Sequence, residues 1–136
     1  LVMIPGTCTD YRMFAPQREA FPDLLCPPWI PPLHRKEPLQ SYAMRLAKTI
    51  PVTGPCVLGG VSLGGMLVQE MARVMNPAAV VLISTASTSK ALSRLFQLNG
   101  KLTAALPDKA VSVLLRGQAR LIEKLAEDLP HRATYV

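Results

Sequence analysis

The sequence predicts an α/β protein, a three-layer sandwich whose mostly parallel sheet lies between helices, with a helical segment at its C-terminal end. Three observations carry this. Short apolar runs bounded by Pro and Gly alternate with amphipathic helical patterns, the order that βαβ units require. The string Gly60-Val61-Ser62-Leu63-Gly64 falls where one such run meets the next helical pattern. After Thr85 no convincing strand follows, and the residues read as helical.

Leu1 to Ile4 is an apolar run stopped by Pro5-Gly6, as expected of a buried strand entering a tight loop. Asp10 is placed to cap a helical stretch containing Tyr11 and Phe14, and Pro16 suits the first turn of a helix running to Ala20. A second, weak strand is expected at Leu24 to Cys26. Residues 27–38 carry Pro27, Pro28, Pro31, Pro32 and Pro38 around Trp29, which forbids helix and favours a stiff extended loop. Leu39, Tyr42, Ala43, Leu46, Ala47 and Ile50 then recur at helical spacing up to Pro51.

Cys56 to Gly60 is the third strand, and Leu67, Val68, Met71, Ala72 and Met75 form the apolar stripe of a helix closed by Asn76-Pro77. Ala79 to Ser84 is the fourth strand, an apolar edge whose unpaired backbone groups invite association. Helical patterns follow around 90–98 and 109–129, the latter with Leu121, Ile122, Leu125, Ala126 and Leu129 on one face.

Composition narrows the function classes. The 136 residues are 49% apolar, enough for a globular core, and the longest apolar run, Ala78 to Ile83, is far short of the ~20 residues of a membrane span. Fifteen basic and nine acidic residues give a net charge of +6, spread without a basic run interleaved with aromatics, which argues against nucleic-acid binding. Lys90, Arg94, Lys101, Lys109, Arg116 and Arg120 face only Asp108 between residues 86 and 122, a solvated surface or one that attracts an anionic partner. Cys8, Cys26 and Cys56 form no Cys-x-x-Cys pair and have no clustered His, so a reduced, cytoplasmic protein with neither metal nor organic cofactor is expected. The opening Leu-Val-Met-Ile has no initiator Met or basic leader, and the chain is expected to begin inside a strand.

Gly-x-Ser-x-Gly between a strand and a helix is a nucleophile elbow, in which a serine sits on a turn so sharp that its neighbours must be small. Gly60 and Gly64 supply that room for Ser62. The N–H groups at the start of the following helix point at negative charge developing nearby, which makes Leu63 N–H the first oxyanion donor. The second comes from the loop after an earlier strand. Pro5-Gly6-Thr7 is such a loop, so the donor is assigned to Thr7, with Cys8 as the alternative. If strand 1–4 lies beside strand 56–60, with 24–26 on its other side, the strand order reverses between Gly6 and Ser62, where open α/β sheets bind ligands. A dinucleotide fingerprint cannot be drawn through Gly59, Gly60, Gly64 and Gly65, and no Lys-Ser/Thr follows to make a P-loop.

Leu-Val-Met-Ile-Pro-Gly-Thr, Asp10, Phe14-Ala15-Pro16-Gln17 and Gly59-Gly60-Val61-Ser62-Leu63-Gly64-Gly65-Met66 together resemble the α/β-hydrolase superfamily, especially its small esterase and lactonase-like members. The resemblance covers residues 1 to about 85. It implies a partial α/β-hydrolase core over 1–85, whose strands correspond to the third through sixth of an eight-stranded sheet, and a helical cap over 86–136. It also implies a serine hydrolase that cleaves a carboxylic ester, lactone or thioester through an acyl-enzyme on Ser62. Leu, Ala and Val side chains of the cap suggest an apolar acyl group, and its basic surplus an acidic acyl carrier as partner. The acid and histidine of such enzymes follow the serine. His131 and Asp128 fall where a cap would end, and His34 lies upstream, so the acid and base are expected beyond Val136. A non-catalytic α/β-hydrolase-like binding domain or truncated inactive product, and an acyltransferase using the same serine, are the alternatives.

Overall fold

The computed structural model describes residues 1–7, 9–86, 88, 107, 109, 110, 113 and 117. The chain divides into two compact units, Leu1–Ala91 and Leu92–Val136. The first contains β1 (Val2–Ile4), a 3₁₀ turn (Tyr11–Phe14), α1 (Ala15–Ala20), α2 (Leu39–Ala47), β2 (Val57–Val61), α3 (Leu63–Met75) and β3 (Ala79–Ile83). In the second, Lys109, Ala110, Val113 and Gly117 are helical. The remaining positions of the patterns at 90–98 and 109–129, and Asp128 and His131, lie outside the described residues.

The sheet is parallel, in the order β1-β2-β3. Val2 pairs with Leu58 and Ile4 with Gly60, and Val57 to Val61 pair in register with Ala79 to Ile83. On the free side of β1, Leu25 makes a single parallel bridge to Val2 through Met3 N–H to Leu25 O (2.8 Å) and Leu25 N–H to Leu1 O (2.9 Å). The weak strand expected at 24–26 is thus reduced to one bridge. Pro27 and Pro28 have no N–H to extend the ladder.

Chain direction explains which face each helix covers. The chain leaves β1 towards Leu25 on one side and returns to β2 on the other, and right-handed crossovers in opposite directions lie on opposite faces. Side chains alternate accordingly. Val2, Ile4 and Leu58 pack with Ala43 and Leu46 of α2 and with Leu67, Val68 and Met71 of α3. Met3 points the other way, onto Phe14 and Leu24. The step from β2 to β3 continues outward, so α3 shares a face with α2.

Local chemistry sets the element ends. The Asp10 carboxylate accepts from Arg12 N–H at 3.0 Å and caps the 3₁₀ turn, as its position predicted. Asn76 closes α3 in the left-handed region (φ 46°), which asparagine tolerates. The helix expected to reach Pro51 ends at Ala47. Pro51 disfavours helical backbone at Ile50, and the chain unwinds through turns that still bury Ile50 in the core. Within the first unit β3 is the outer strand, with Val80, Val81, Leu82 and Ile83 each 40–43% exposed. Among the described residues no helix is long and apolar enough to cross a membrane.

Candidate active site

Ser62 stands between the last residue of β2 and the first of α3, with φ 52° and ψ −116°. Side chains rarely adopt this conformation, which costs an L-residue about 1–3 kcal/mol unless its surroundings impose it. The surroundings do so through backbone bonds. Ser62 N–H donates to Ile83 O on the neighbouring strand at 2.9 Å, while Ser62 O accepts from Met66 N–H at 3.2 Å and from the Thr85 hydroxyl at 2.7 Å. The turn is clamped from β3 and from its own helix, and the serine side chain is left exposed.

Three glycines make the turn sterically possible. A methyl on Gly60 would overlap the Gly64 carbonyl and come within 2.6 Å of Gly65 N. One on Gly64 would overlap the carbonyl oxygens of Ile4 and Pro5. One on Gly65 would stand 2.6 Å from Thr85 Cβ. The first two contacts are with backbone, which has little freedom to yield. The missing side chain at Gly64 lets the end of β1 lie against the first turn of α3, and that at Gly60 lets the start of α3 close on β2.

That approach brings the Pro5-Gly6-Thr7 loop to the serine. A methyl built on Gly6 would lie 3.6 Å from Val61 O and 3.7 Å from Ser62 Cβ. Gly6 is held in turn by Thr9, whose hydroxyl (2.8 Å) and N–H (3.3 Å) both donate to Gly6 O. Thr7 is exposed and Leu63 half-buried, and among the described residues neither residue's N–H donates to a protein acceptor. Cys8, the alternative donor, lies outside the described residues. The structure therefore brings Gly6, Ser62 and the residues flanking them, Thr7 and Leu63, to one end of the sheet. Both loops leave the carboxyl ends of β1 and β2, where the strand order reverses.

The Ser62 hydroxyl has no hydrogen-bond partner among the described residues. His34 is exposed in the proline-rich loop. No cluster of three or more His, Cys, Asp or Glu side chains among the described residues is placed to hold a metal ion. Cys26 and Cys56 are unbridged, and burial pushes the Cys26 thiol up from its ordinary pKa, so it is a neutral thiol at physiological pH.

The proline-rich loop carries a network that sequence reasoning missed. The Glu37 carboxylate, its side chain only 2% exposed, accepts from Leu33 N–H (2.9 Å), the Ser41 hydroxyl (3.0 Å), Arg45 Nε (2.9 Å) and a terminal Arg45 nitrogen (2.8 Å). The Arg45 guanidinium, aided by those neutral donors against the opposing effect of desolvation, holds Glu37 down to a pKa of about 2. The same guanidinium donates to Pro31 O and lies 5.5 Å from the centre of the Tyr42 ring. Tyr42 donates to Ile30 O, and its ring tilts against Trp29. The spacing Glu37, Ser41, Arg45, four residues apart from just before α2 to its last turn, is the one sequence signal for this cluster.

No protein-family model, curated protein or solved structure matches this chain.

Proposed function

We propose that this protein is an α/β-hydrolase-type serine hydrolase that cleaves a carboxylic ester, lactone or thioester through an acyl-enzyme on Ser62. The observation that carries the reading is the backbone of Ser62. An exposed serine in a sparsely populated conformation, clamped by Ile83, Met66 and Thr85 and cleared by Gly60 and Gly64, has been placed at the cost of local stability. An ordinary tight turn would put Gly or Asn at such a position.

The chemistry follows from the placement. Ser62 Oγ attacks the substrate carbonyl carbon while its proton passes to a histidine outside the described residues. The carbonyl oxygen, now negative, lies between the N–H groups of Thr7 and Leu63, each such donor contributing about 2.7–4 kcal/mol to the transition state. Collapse of the tetrahedral species breaks the bond to the leaving alkoxide or thiolate, which takes the proton from the histidine. Water then attacks the acyl-Ser62 ester along the same path and returns the proton to Oγ.

The test is covalent labelling by a fluorophosphonate, with the adduct mapped by mass spectrometry. An adduct on Ser62 that disappears in Ser62→Ala, while the variant keeps its fold, supports the reading. Esterase turnover retained in Ser62→Ala would refute it.

A further inference from the structure

We infer that the cleft beside Pro5 receives an uncharged, apolar acyl group of the substrate; this rests on the hydrolase reading and specifies its substrate class. The cleft measures about 370 Å³ and is walled by Pro5, Tyr11, Cys26, Pro27, Pro28 and Trp29. That volume lies at the lower end of the ~300–1,000 Å³ typical of small-molecule sites, enough for a ring or a short branched chain.

Its position ties it to the reacting centre. Pro5 is one residue from Gly6, which faces Ser62 Cβ, and the Pro5 carbonyl oxygen abuts Gly64. The wall is also fastened to the loop that presents Thr7. Trp29 Nε1–H donates to Thr9 O at 2.8 Å, and the Thr9 hydroxyl donates to Gly6 O at 2.8 Å. A group packed against the Trp29 ring therefore bears on the same hydrogen-bonded unit that sets the Gly6 backbone beside the serine. Tyr42 packs against the indole, with 6.4 Å between ring centres.

The lining's chemistry selects the occupant. Proline rings, an indole and a neutral thiol offer apolar surface. Among the described residues the one charged group in the wall is Asp10, whose carboxylate is already engaged by Arg12 through contacts of 2.7–3.0 Å. Among the described residues the wall contributes no cation, and Arg18, which acts on the Cys26 thiol electrostatically, is not part of it, so an anionic acyl chain gives up its hydration without a partner in the wall.

Trp29 is the single tryptophan of the chain, so its emission reports on the cleft directly. Titration with cyclohexanol should give a saturable change, with half-saturation at least tenfold lower than for cyclohexanecarboxylate. Cys26→Phe, which fills the cleft, or Tyr11→Ala, which opens its exposed rim, should weaken cyclohexanol at least threefold. Saturating cyclohexanol should also slow labelling of Ser62 by a cyclohexyl-bearing fluorophosphonate at least fivefold. The absence of a saturable change, an equal response to the carboxylate, an unchanged response in every folded variant, or an unchanged labelling rate would each overturn the inference. Saturable binding with no labelling of Ser62 overturns the nucleophile reading and leaves the ligand class of the cleft standing. Labelling without saturable binding overturns the cleft alone.

Discussion

Replacing Ser62 by glycine should make the protein more stable than replacing it by alanine, the reverse of the usual order. At φ 52° and ψ −116° a residue with a Cβ bears about 1–3 kcal/mol of backbone strain. Alanine keeps the Cβ and hence the strain. Since the exposed Ser62 hydroxyl makes no hydrogen bond among the described residues, Ser62→Ala should lie within about 0.5 kcal/mol of the native protein. Glycine removes the strain and gives back about 0.5–1 kcal/mol through the greater freedom of the unfolded chain. The difference is about 1 kcal/mol in favour of glycine. With a urea slope of ~2 kcal/mol/M, that moves the unfolding midpoint by roughly 0.5 M between the two variants at unchanged slope. A midpoint for Ser62→Ala equal to or above that of Ser62→Gly would show that the serine is not strained, and would remove the observation on which the functional reading stands.

The close approach of β1 to α3 makes a second prediction, that Gly64→Ala will destabilise by about 2 kcal/mol or more, since its methyl meets two backbone carbonyls. Gly54→Ala, which meets nothing within 4 Å, should be neutral or stabilising by up to about 1 kcal/mol, and equal midpoints for the two would refute the contact. The Glu37 network predicts acid sensitivity. A carboxylate whose pKa falls from 4.5 to about 2 on folding contributes in full above pH 4.5, and loses that contribution as pH drops towards 2. The stability gap between the native protein and Glu37→Gln, measured by denaturation at a series of pH values, should therefore be largest near pH 6 and shrink towards pH 2. A gap independent of pH would show that the carboxylate is not held by Arg45.

The elbow was legible in the sequence because its steric demand is written into residue types at fixed positions. Only glycine fits at 60 and 64, and Ser62 falls between them on a strand-to-helix junction. The neighbour order of β1, β2 and Leu25 was legible for a related reason, since apolar runs and short connections leave few parallel arrangements. Boundaries were less so. The apolar stripe of α2 continues to Ile50, but burial of Ile50 comes from a turn that tucks it into the core, which periodicity does not distinguish from helix. The bond from Trp29 to Thr9 and the four donors on Glu37 join residues through a loop whose path no propensity specifies. The wall of the cleft beside Pro5 therefore emerged only from the folded chain.

The proposed role of Ser62 as nucleophile is tested most directly by fluorophosphonate labelling of the native protein, with the adduct mapped to its residue. A single dominant adduct on Ser62, lost in Ser62→Ala and retained in Gly54→Ala, is expected. Labelling absent from Ser62, or spread evenly over the serines of the chain, would contradict it.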